Sequence, residues 1–223
     1  SISAEVGGTV EFLDFVALFY HGLDTTPLLT ASLEFPQGLF ENYRVRLTPK
    51  LTSVDAFGAS VSAVLGSFKL TFENAFALKK SFLTEKLVYT EAAFETLTFE
   101  SPYYSLTASA GYENYDLNLF VNLEYTNGII IEPADRMVEP SFSHMLAANV
   151  LWHFFENRFS LQSTTLINIP DWSVSEIFRF SFITLDEAFE TGFILPLFFV
   201  QYDTAFGQYR QNIYPSLFLT VRF

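Results

Sequence analysis

The chain has 223 residues, of which 50% are hydrophobic, 18% are aromatic and only 17% are charged, and its formal net charge is −13. This composition excludes a disordered chain, which combines low hydrophobicity with high charge. The absence of cysteine excludes disulfide bonds, thiol chemistry and cysteine-ligated zinc. The mean hydropathy of +0.25 is high for a protein surrounded by water. Yet the longest run without a charged residue, 140–155, is interrupted by polar residues and is too short for a membrane-spanning helix, which needs about 20 apolar residues.

Apolar residues recur at every second position in most of the chain, the pattern of strands that have two different faces. Tyr104, Leu106 and Ala108, for example, alternate with Ser105 and Thr107. The alternating segments run about ten residues, which is the length that a tilted strand needs to cross a bilayer. Strands of soluble proteins are usually shorter, near five or six residues. The sequence therefore predicts one all-β domain over 1–223, a transmembrane antiparallel up-and-down β-barrel.

Short polar turns flanked by aromatic residues recur along the chain. Asn, Asp and Glu suit tight turns, and aromatic residues are typical of the membrane interface. Six such turns are predicted on one side of the membrane, at 40–43, 72–76, 91–94, 112–115, 155–159 and 185–189. Seven loops are predicted on the other side, at 21–27, 52–58, 81–84, 100–102, 126–140, 170–173 and 203–209. These connections predict about fourteen strands, with twelve as the alternative, and a change of phase near Phe12 indicates a bulge or a further turn.

The last segment ends in alternating residues that include Leu217, Leu219, Val221 and the terminal Phe223. A terminal strand with a final Phe resembles the assembly signature of Gram-negative outer-membrane β-barrels of the porin-like superfamily. The resemblance covers the architecture of the whole chain but identifies no particular family. It implies a place in the bacterial outer membrane, with outer-membrane lipid, lipopolysaccharide and the barrel-assembly machinery as partners. The chain begins at Ser1 without a signal peptide, a pattern shared by cytosolic proteins and by exported proteins after cleavage.

If the apolar phase of each strand faces lipid, the other phase faces the lumen. Arg44 and Arg46 lie two residues apart, so they share a face roughly 7 Å from each other, and Lys50 extends the row. Basic residues in a channel wall favour anions, although a structural network of paired charges fits the same pattern. The residues predicted to line the pore are Arg44, Arg46, Lys50, Lys69, Arg179, Arg222, Glu34 and Glu124.

No motif for a cofactor, a metal ion or catalysis is present, so we predict no cofactor and no enzymatic activity. His153 and Ser160 are expected to lie opposite each other across a hairpin, but no third group that would orient the histidine is apparent. Glu132, Asp135 and Glu139 lack the spacing of a calcium-binding loop. A pI near 4.5 argues against nucleic-acid binding.

The sequence thus favours an outer-membrane channel for passive diffusion of small hydrophilic, anionic solutes. The first rival hypothesis is a structural barrel that conducts nothing and anchors an oligomer or a larger envelope complex. A membrane enzyme that uses His153 is the second rival, and a soluble β-sandwich is the third. Replacing Arg44 and Arg46 by Glu is expected to shift ion selectivity toward cations if the basic row faces a conducting lumen.

Overall fold

The computed structural model describes residues 1–24, 28–34, 44–90, 93–184, 188–201, 204 and 206–221. Strands make up 76% of the structure, and this part of the chain contains no α-helix. Helices long and apolar enough to cross a membrane are accordingly not found among these residues. The strands are β1 (Ile2–Val10), β2 (Leu13–Leu23), β3 (Leu28–Glu34), β4 (Arg44–Lys50), β5 (Ser53–Leu65), β6 (Phe68–Thr90), β7 (Ala93–Asn114), β8 (Leu119–Ile130), β9 (Phe142–Phe154), β10 (Phe159–Asn168), β11 (Ser173–Ile183), β12 (Phe189–Phe199) and β13 (Ser216–Val221).

Eleven strands form one antiparallel path, the main sheet, in the order β1-β2-β5-β6-β7-β8-β9-β10-β11-β12-β13. The predicted all-β antiparallel architecture is confirmed. Within the described residues β1 pairs only with β2 and β13 only with β12, so the path is open and no closed barrel is seen. Because each strand runs opposite to its neighbour, β1 and β13 run in the same direction.

The two ends of the main sheet differ in their connections. At one end, here called the turn end, adjacent strands join through short turns at 11–12, 66–67, 115–118 and 155–158. At the other, the loop end, the connections 131–141 and 200–215 are longer. The connection 169–172, also at the loop end, is as short as the turn 115–118, so the predicted division into short turns and longer loops holds only in part. Of the predicted turns, those at 40–43, 91–94 and 185–189 lie wholly or partly outside the described residues.

Strands β6 and β7 extend beyond the loop end as a long hairpin, here called the extension (80–90 and 93–101). Register shifts between Ala77 and Lys80 and between Leu83 and Leu87 mark bulges, which bend a strand out of its ladder. The hairpin of β3 and β4 lies outside the main path, and among the described residues it pairs with the main path through Ser32–Glu34, which lie opposite residues of the extension.

The main core of the molecule lies at the base of the extension. Ala77, Phe82 and Ile130 are the buried apolar residues among those described. The 131–141 loop packs there, since the Val138 amide donates to the Leu83 carbonyl at 3.1 Å and the Ile131 amide donates to the Pro102 carbonyl at 3.0 Å. Elsewhere in the described strands no apolar side chain is buried.

The predicted turn at 72–76 was wrong. Glu73 and Asn74 lie within β6 and pair with both β5 and β7. The chain reverses instead at Gly66 and Ser67, where Gly66 adopts a φ of 62° that glycine takes without steric cost. The segment between the predicted loop 52–58 and the predicted turn 72–76 is therefore divided between β5 and β6, and β5 already begins at Ser53 within that loop.

Three other boundaries also required correction. The segment before the predicted loop 21–27 forms two strands, because the change of phase near Phe12 is a turn at Glu11 and Phe12, with a φ of 54° at Glu11. The predicted loops 81–84 and 100–102 lie inside β6 and β7, so the segments on either side of each predicted loop merge into one long strand. Thirteen strands, rather than fourteen, are present in the described residues.

Candidate functional site: the polar face of the sheet

The pairing register assigns each residue of the main sheet to one of two faces, because residues directly opposite each other share a face. On the first face Phe72, Ala108, Tyr125, Leu146 and Ile167 follow one another across five strands. The same row continues to Val174 of β11. We call this side the apolar face.

Large side chains on the apolar face are exposed. Leu123 in β8 is 55% exposed and Phe68 in β6 is 52% exposed. In the strands of the main sheet outside the extension, the exposed large apolar side chains lie on this face with three exceptions, Leu18, Val64 and Ile177. A soluble monomer rarely exposes contiguous apolar patches larger than a few hundred Å². This surface therefore requires an apolar environment or a partner.

Aromatic residues border the apolar face at both ends of its strands. Eight to ten residues separate the two bands, which at about 3.3 Å per residue and a tilt near 40° places them roughly 20–25 Å apart. That spacing matches the apolar band of an outer-membrane barrel, about 25 Å tall between its aromatic girdles. Phe68, Tyr112, Trp152 and Phe189 lie at the turn end, and Phe76, Tyr104, Phe142 and Phe199 lie at the loop end.

Two carboxylates interrupt the apolar face, Asp55 of β5 and Glu176 of β11. Glu176 lies opposite Thr165 and Leu197. The Ser163 hydroxyl donates to its Oε1 at 2.6 Å, and the Thr165 hydroxyl donates to its Oε2. An isolated carboxylate is costly to place in an apolar environment, and two hydrogen-bond donors reduce that cost.

The other face of the main sheet is small and polar. A representative row is Lys69, Gly111, Asn122, Asn149 and Thr164, which follow one another across β6 to β10. The Thr164 hydroxyl donates to Asn149 Oδ1 at 2.8 Å. Glycines of the main strands lie mainly on this face, at Gly7, Gly22, Gly58, Gly111, Gly128 and Gly192.

Side chains on this polar face are more buried than those on the apolar face. Ser175, Ser181 and Glu190 are each less than 9% exposed, as is Ser160, whose hydroxyl lies 2.6 Å from that of Ser181. Side chains crowd one another on a concave surface, so this difference is the one expected if the sheet curls around its polar face. The arrangement can line a water-filled space with hydroxyl, amide and charged groups.

Charges on the polar face are mainly acidic. Arg179 Nη2 donates to Glu190 Oε1 at 2.8 Å, and its guanidinium lies 4.4 Å from the ring centroid of Phe218. This pair is the one salt bridge that the described part of the main-sheet polar face contains. The other acidic groups on this face are Glu5, Asp14, Glu73, Glu113 and Glu124, against one further base, Lys69.

Of the residues predicted to line a pore, the structure places Lys69, Glu124 and Arg179 on the polar face of the main sheet. Arg46 and Lys50 lie on β4, where both are exposed, and β4 is outside the main path. The predicted basic row is therefore part of the appended hairpin. Its role in lining a pore stays a prediction.

Three predicted residues have side chains outside the described part of the chain. Glu34 and Arg44 are opposite each other in the β3–β4 register, which fixes their backbone positions only. Arg222, with the terminal Phe223, lies beyond the described residues altogether.

Two of the three histidines, His21 and His144, contact polar side chains, whereas His153 makes no hydrogen bond to the serine opposite it. His153 and Ser160 are opposite each other, as predicted, but the Ser160 hydroxyl is hydrogen-bonded to Ser181 instead. His21, predicted to lie in a loop, belongs to β2, and its Nδ1 lies 2.5 Å from Asp55 Oδ1. His144 Nδ1 contacts the Tyr125 hydroxyl on the apolar face.

Sequence reasoning missed five acidic residues of the polar face, and two of them, Glu5 and Asp14, were not considered as residues of that face. Glu73 and Glu113 were assigned to turns, although both lie in strands, and Glu190 was not singled out.

The sequence does contain a signal for Glu190. It alternates with Phe189 and Thr191, which lie in the apolar phase of β12, so Glu190 lies in the other phase. The register with β11 then brings it to Arg179, which no local pattern indicates.

Metal binding finds no support in the geometry, since no group of three His, Asp or Glu side chains comes together in the ranges that the structure describes. The candidate site is thus the polar face itself rather than a single cluster. Comparisons with protein-family models, with curated proteins and with solved structures found no match.

Proposed function

We propose that the chain is an outer-membrane β-barrel that acts as a channel for passive diffusion of small hydrophilic solutes. The observation that carries the proposal is the division of the main sheet into an exposed apolar face and a small, polar face. In a bilayer the first faces lipid, and the second encloses water. The paired aromatic bands give the apolar face the height of a membrane. Outer-membrane lipid and lipopolysaccharide are then its surroundings, and the barrel-assembly machinery is the partner that inserts it.

Closure of the sheet is part of this proposal. Eleven strands about 4.8 Å apart, tilted near 40°, enclose a backbone cylinder roughly 22 Å across. The small residues of the polar face leave room for water inside it. Since β1 and β13 run in the same direction, their direct pairing is parallel. Antiparallel closure requires one more strand between them.

Closure can be tested with introduced cysteines, because the chain has none of its own. Val6→Cys in β1 is combined in turn with Leu217→Cys, Leu219→Cys and Val221→Cys in β13. Direct closure predicts that at least one pair forms a disulfide in the membrane-inserted protein, seen as a mobility change that a reductant reverses. Val6→Cys with Leu123→Cys is the control, since β8 is far from β1 in the path. If no β13 position cross-links, direct closure is wrong.

The charges on the polar face, which forms the wall of the proposed channel, determine its ion selectivity. Acids outnumber bases on the described polar face, and Arg179 is paired with Glu190. Charged groups along a pore attract ions of opposite sign. The proposed channel is therefore expected to pass cations more readily than anions. The basic residues of β4 belong to the appended hairpin and not to the polar face of the main sheet.

The decisive experiment is a planar-bilayer recording of the refolded protein under a salt gradient. Stable conductance steps with a cation-directed reversal potential support the channel and the acidic wall together. Steps with an anion-directed reversal potential support the channel but contradict the acidic wall. Absence of steps from protein shown by protease protection to be folded and inserted overturns the channel.

A non-conducting structural barrel is the second candidate function. The observation that favours it is the 131–141 loop, which crosses the loop end and pairs with the extension through Thr84 and Met137. If this loop closes the lumen, removing 132–137 opens it. A shortened chain that conducts where the intact chain is silent identifies the loop as a plug. Silence from both variants favours a structural role in a larger envelope complex.

A further inference from the structure

A cavity of about 310 Å³ lies at the loop end, on the polar-face side of the extension. Its walls come from the base of β6 and β7, the ends of β8 and β9, the loop that joins those two strands, and two residues near β2 and β3, Asp24 and Leu28. The side chains that matter for its chemistry are Lys80, Phe82, Tyr103, Ile130, Glu139 and Ser143. The volume falls at the lower end of the range of small-molecule sites, about 300–1,000 Å³.

The walls of this cavity are held by several interactions. Phe82 and Ile130 are each 4% exposed, and the Phe82 ring lies 6.0 Å from that of Tyr103. The Ser101 hydroxyl donates to the Glu132 carbonyl at 3.1 Å, which fastens the start of the loop. A pocket built from buried, hydrogen-bonded elements exists before its ligand arrives, so little ordering is required on binding.

The cavity is lined by one base, Lys80, and by two acids, Glu139 and Asp24, and Lys80 forms no ion pair with either acid. Lys80 Nζ lies 4.7 Å from the ring centroid of Tyr103, and no carboxylate of the described residues comes within 4.0 Å of it. Glu139 Oε2 accepts a hydrogen bond from the Leu83 amide at 3.3 Å, which fixes the carboxylate in place, and no basic group of the described chain forms an ion pair with it. An ammonium and a carboxylate are thus both available to a ligand.

We propose that this cavity binds a small zwitterion with an apolar side group, that is, a free amino acid. The carboxylate of the ligand pairs with the Lys80 ammonium, and its amine pairs with the Glu139 carboxylate. The apolar group contacts Phe82 and Ile130. Charge-assisted hydrogen bonds at both ends give orientation, and the apolar wall selects for a hydrophobic side chain. The site requires no conduction, so it stands independently of the proposed channel.

Equilibrium dialysis of the full-length protein in detergent, with radiolabelled leucine as the probe, tests the proposal. Two analogues compete: 4-methylpentanoate, which lacks the amine, and 3-methylbutylamine, which lacks the carboxylate. We expect leucine to bind and each analogue to compete at least tenfold more weakly. Absence of leucine binding at 10 mM, or equal competition by either analogue, overturns the proposal.

Two variants assign the charges to their residues. Lys80→Gln removes the cation, and Glu139→Gln removes one carboxylate while keeping an oxygen that can accept the Leu83 amide. Each is expected to weaken leucine binding at least tenfold, whereas Lys69→Gln, on the polar face near the turn end, leaves it unchanged. If only one of the two cavity variants weakens binding, the site recognises a single charge and the zwitterion proposal is wrong. Circular dichroism checks that each variant retains its strand content.

Discussion

The two faces of the main sheet belong to the same strands but differ in both polarity and exposure. Leu123 and Asn122 are neighbours in β8, yet one belongs to an exposed apolar surface and the other to a row of small polar residues. In a soluble sheet the apolar side is the one that becomes buried. Here the apolar face is exposed and the polar face carries the buried serines. This inversion is the strongest argument for a membrane environment, and neighbouring residues of one strand offer matched tests of it.

The largest expected effect comes from placing a charge on the apolar face. Leu123→Arg puts a guanidinium midway along β8, where lipid contact makes it cost about 2–4 kcal/mol of folding free energy. Asn122→Arg is the control, since its side chain points to the polar face of the same strand. The measurement is urea unfolding of both variants in lipid vesicles. Equal, small effects from the two variants contradict a lipid-facing apolar surface.

The next effect concerns the close approach of strands on the polar face. A Cβ at Gly192 lies 2.0 Å from the Phe180 carbonyl oxygen, so the backbone of β11 or β12 must shift. We expect Gly192→Ala to destabilise the protein by about 1–3 kcal/mol, as overpacking does. Gly58→Ala is the control on the same face, because its nearest contact is 3.4 Å. Thermal unfolding in detergent compares them, and equal melting temperatures contradict the tight β11–β12 packing.

The sequence predicts the region 142–183 well. Its alternation continues through β9, β10 and β11 with interruptions such as Glu176 and Ile177, and the turn at 155–158 lies where the polar, aromatic-flanked segment indicates it. The region 59–112 was predicted poorly because Glu73 and Asn74 resemble a turn, whereas the reversal depends on the backbone of Gly66. Local patterns identify a strand and its two faces but not its partner. For that reason Lys69, Glu124 and Arg179 could be assigned to the polar phase, while the displacement of β4 onto a hairpin could not be foreseen.

A smaller effect, on ion selectivity, distinguishes a charge on the polar face of the main sheet from a charge on the β3–β4 hairpin. A unit charge about 7 Å from a permeating ion contributes about 0.6 kcal/mol in water, roughly a threefold change in preference. We expect Glu124→Gln to lower the cation-to-anion permeability ratio by about that factor. Arg46→Glu on β4 is expected to change it less, because β4 lies outside the main path. Reversal potentials under a salt gradient measure both, and a larger effect from Arg46→Glu assigns selectivity to the hairpin.

The smallest effect is a titration at the turn end. The Tyr115 hydroxyl donates to Glu113 Oε2 at 2.6 Å. This hydrogen bond, followed by the charge of Glu113 and a minor loss of hydration, raises the pKa of Tyr115 above its ordinary value of 10.0. The folded state therefore favours the protonated phenol, and the stability gained is fully present below the ordinary pKa and is lost as the pH rises through the raised one.

Replacing Glu113 removes both of the larger causes of this shift. In Glu113→Ala the pKa of Tyr115 is expected to return toward the ordinary value. Absorbance of ionised tyrosine follows it, with Tyr115→Phe subtracted so that the other ten tyrosines cancel. Identical titration of Tyr115 with and without Glu113 contradicts the contact. Because Tyr115 is 72% exposed and follows the last residue of β7, the result also reports whether the turn end is open to water when the apolar face is in lipid.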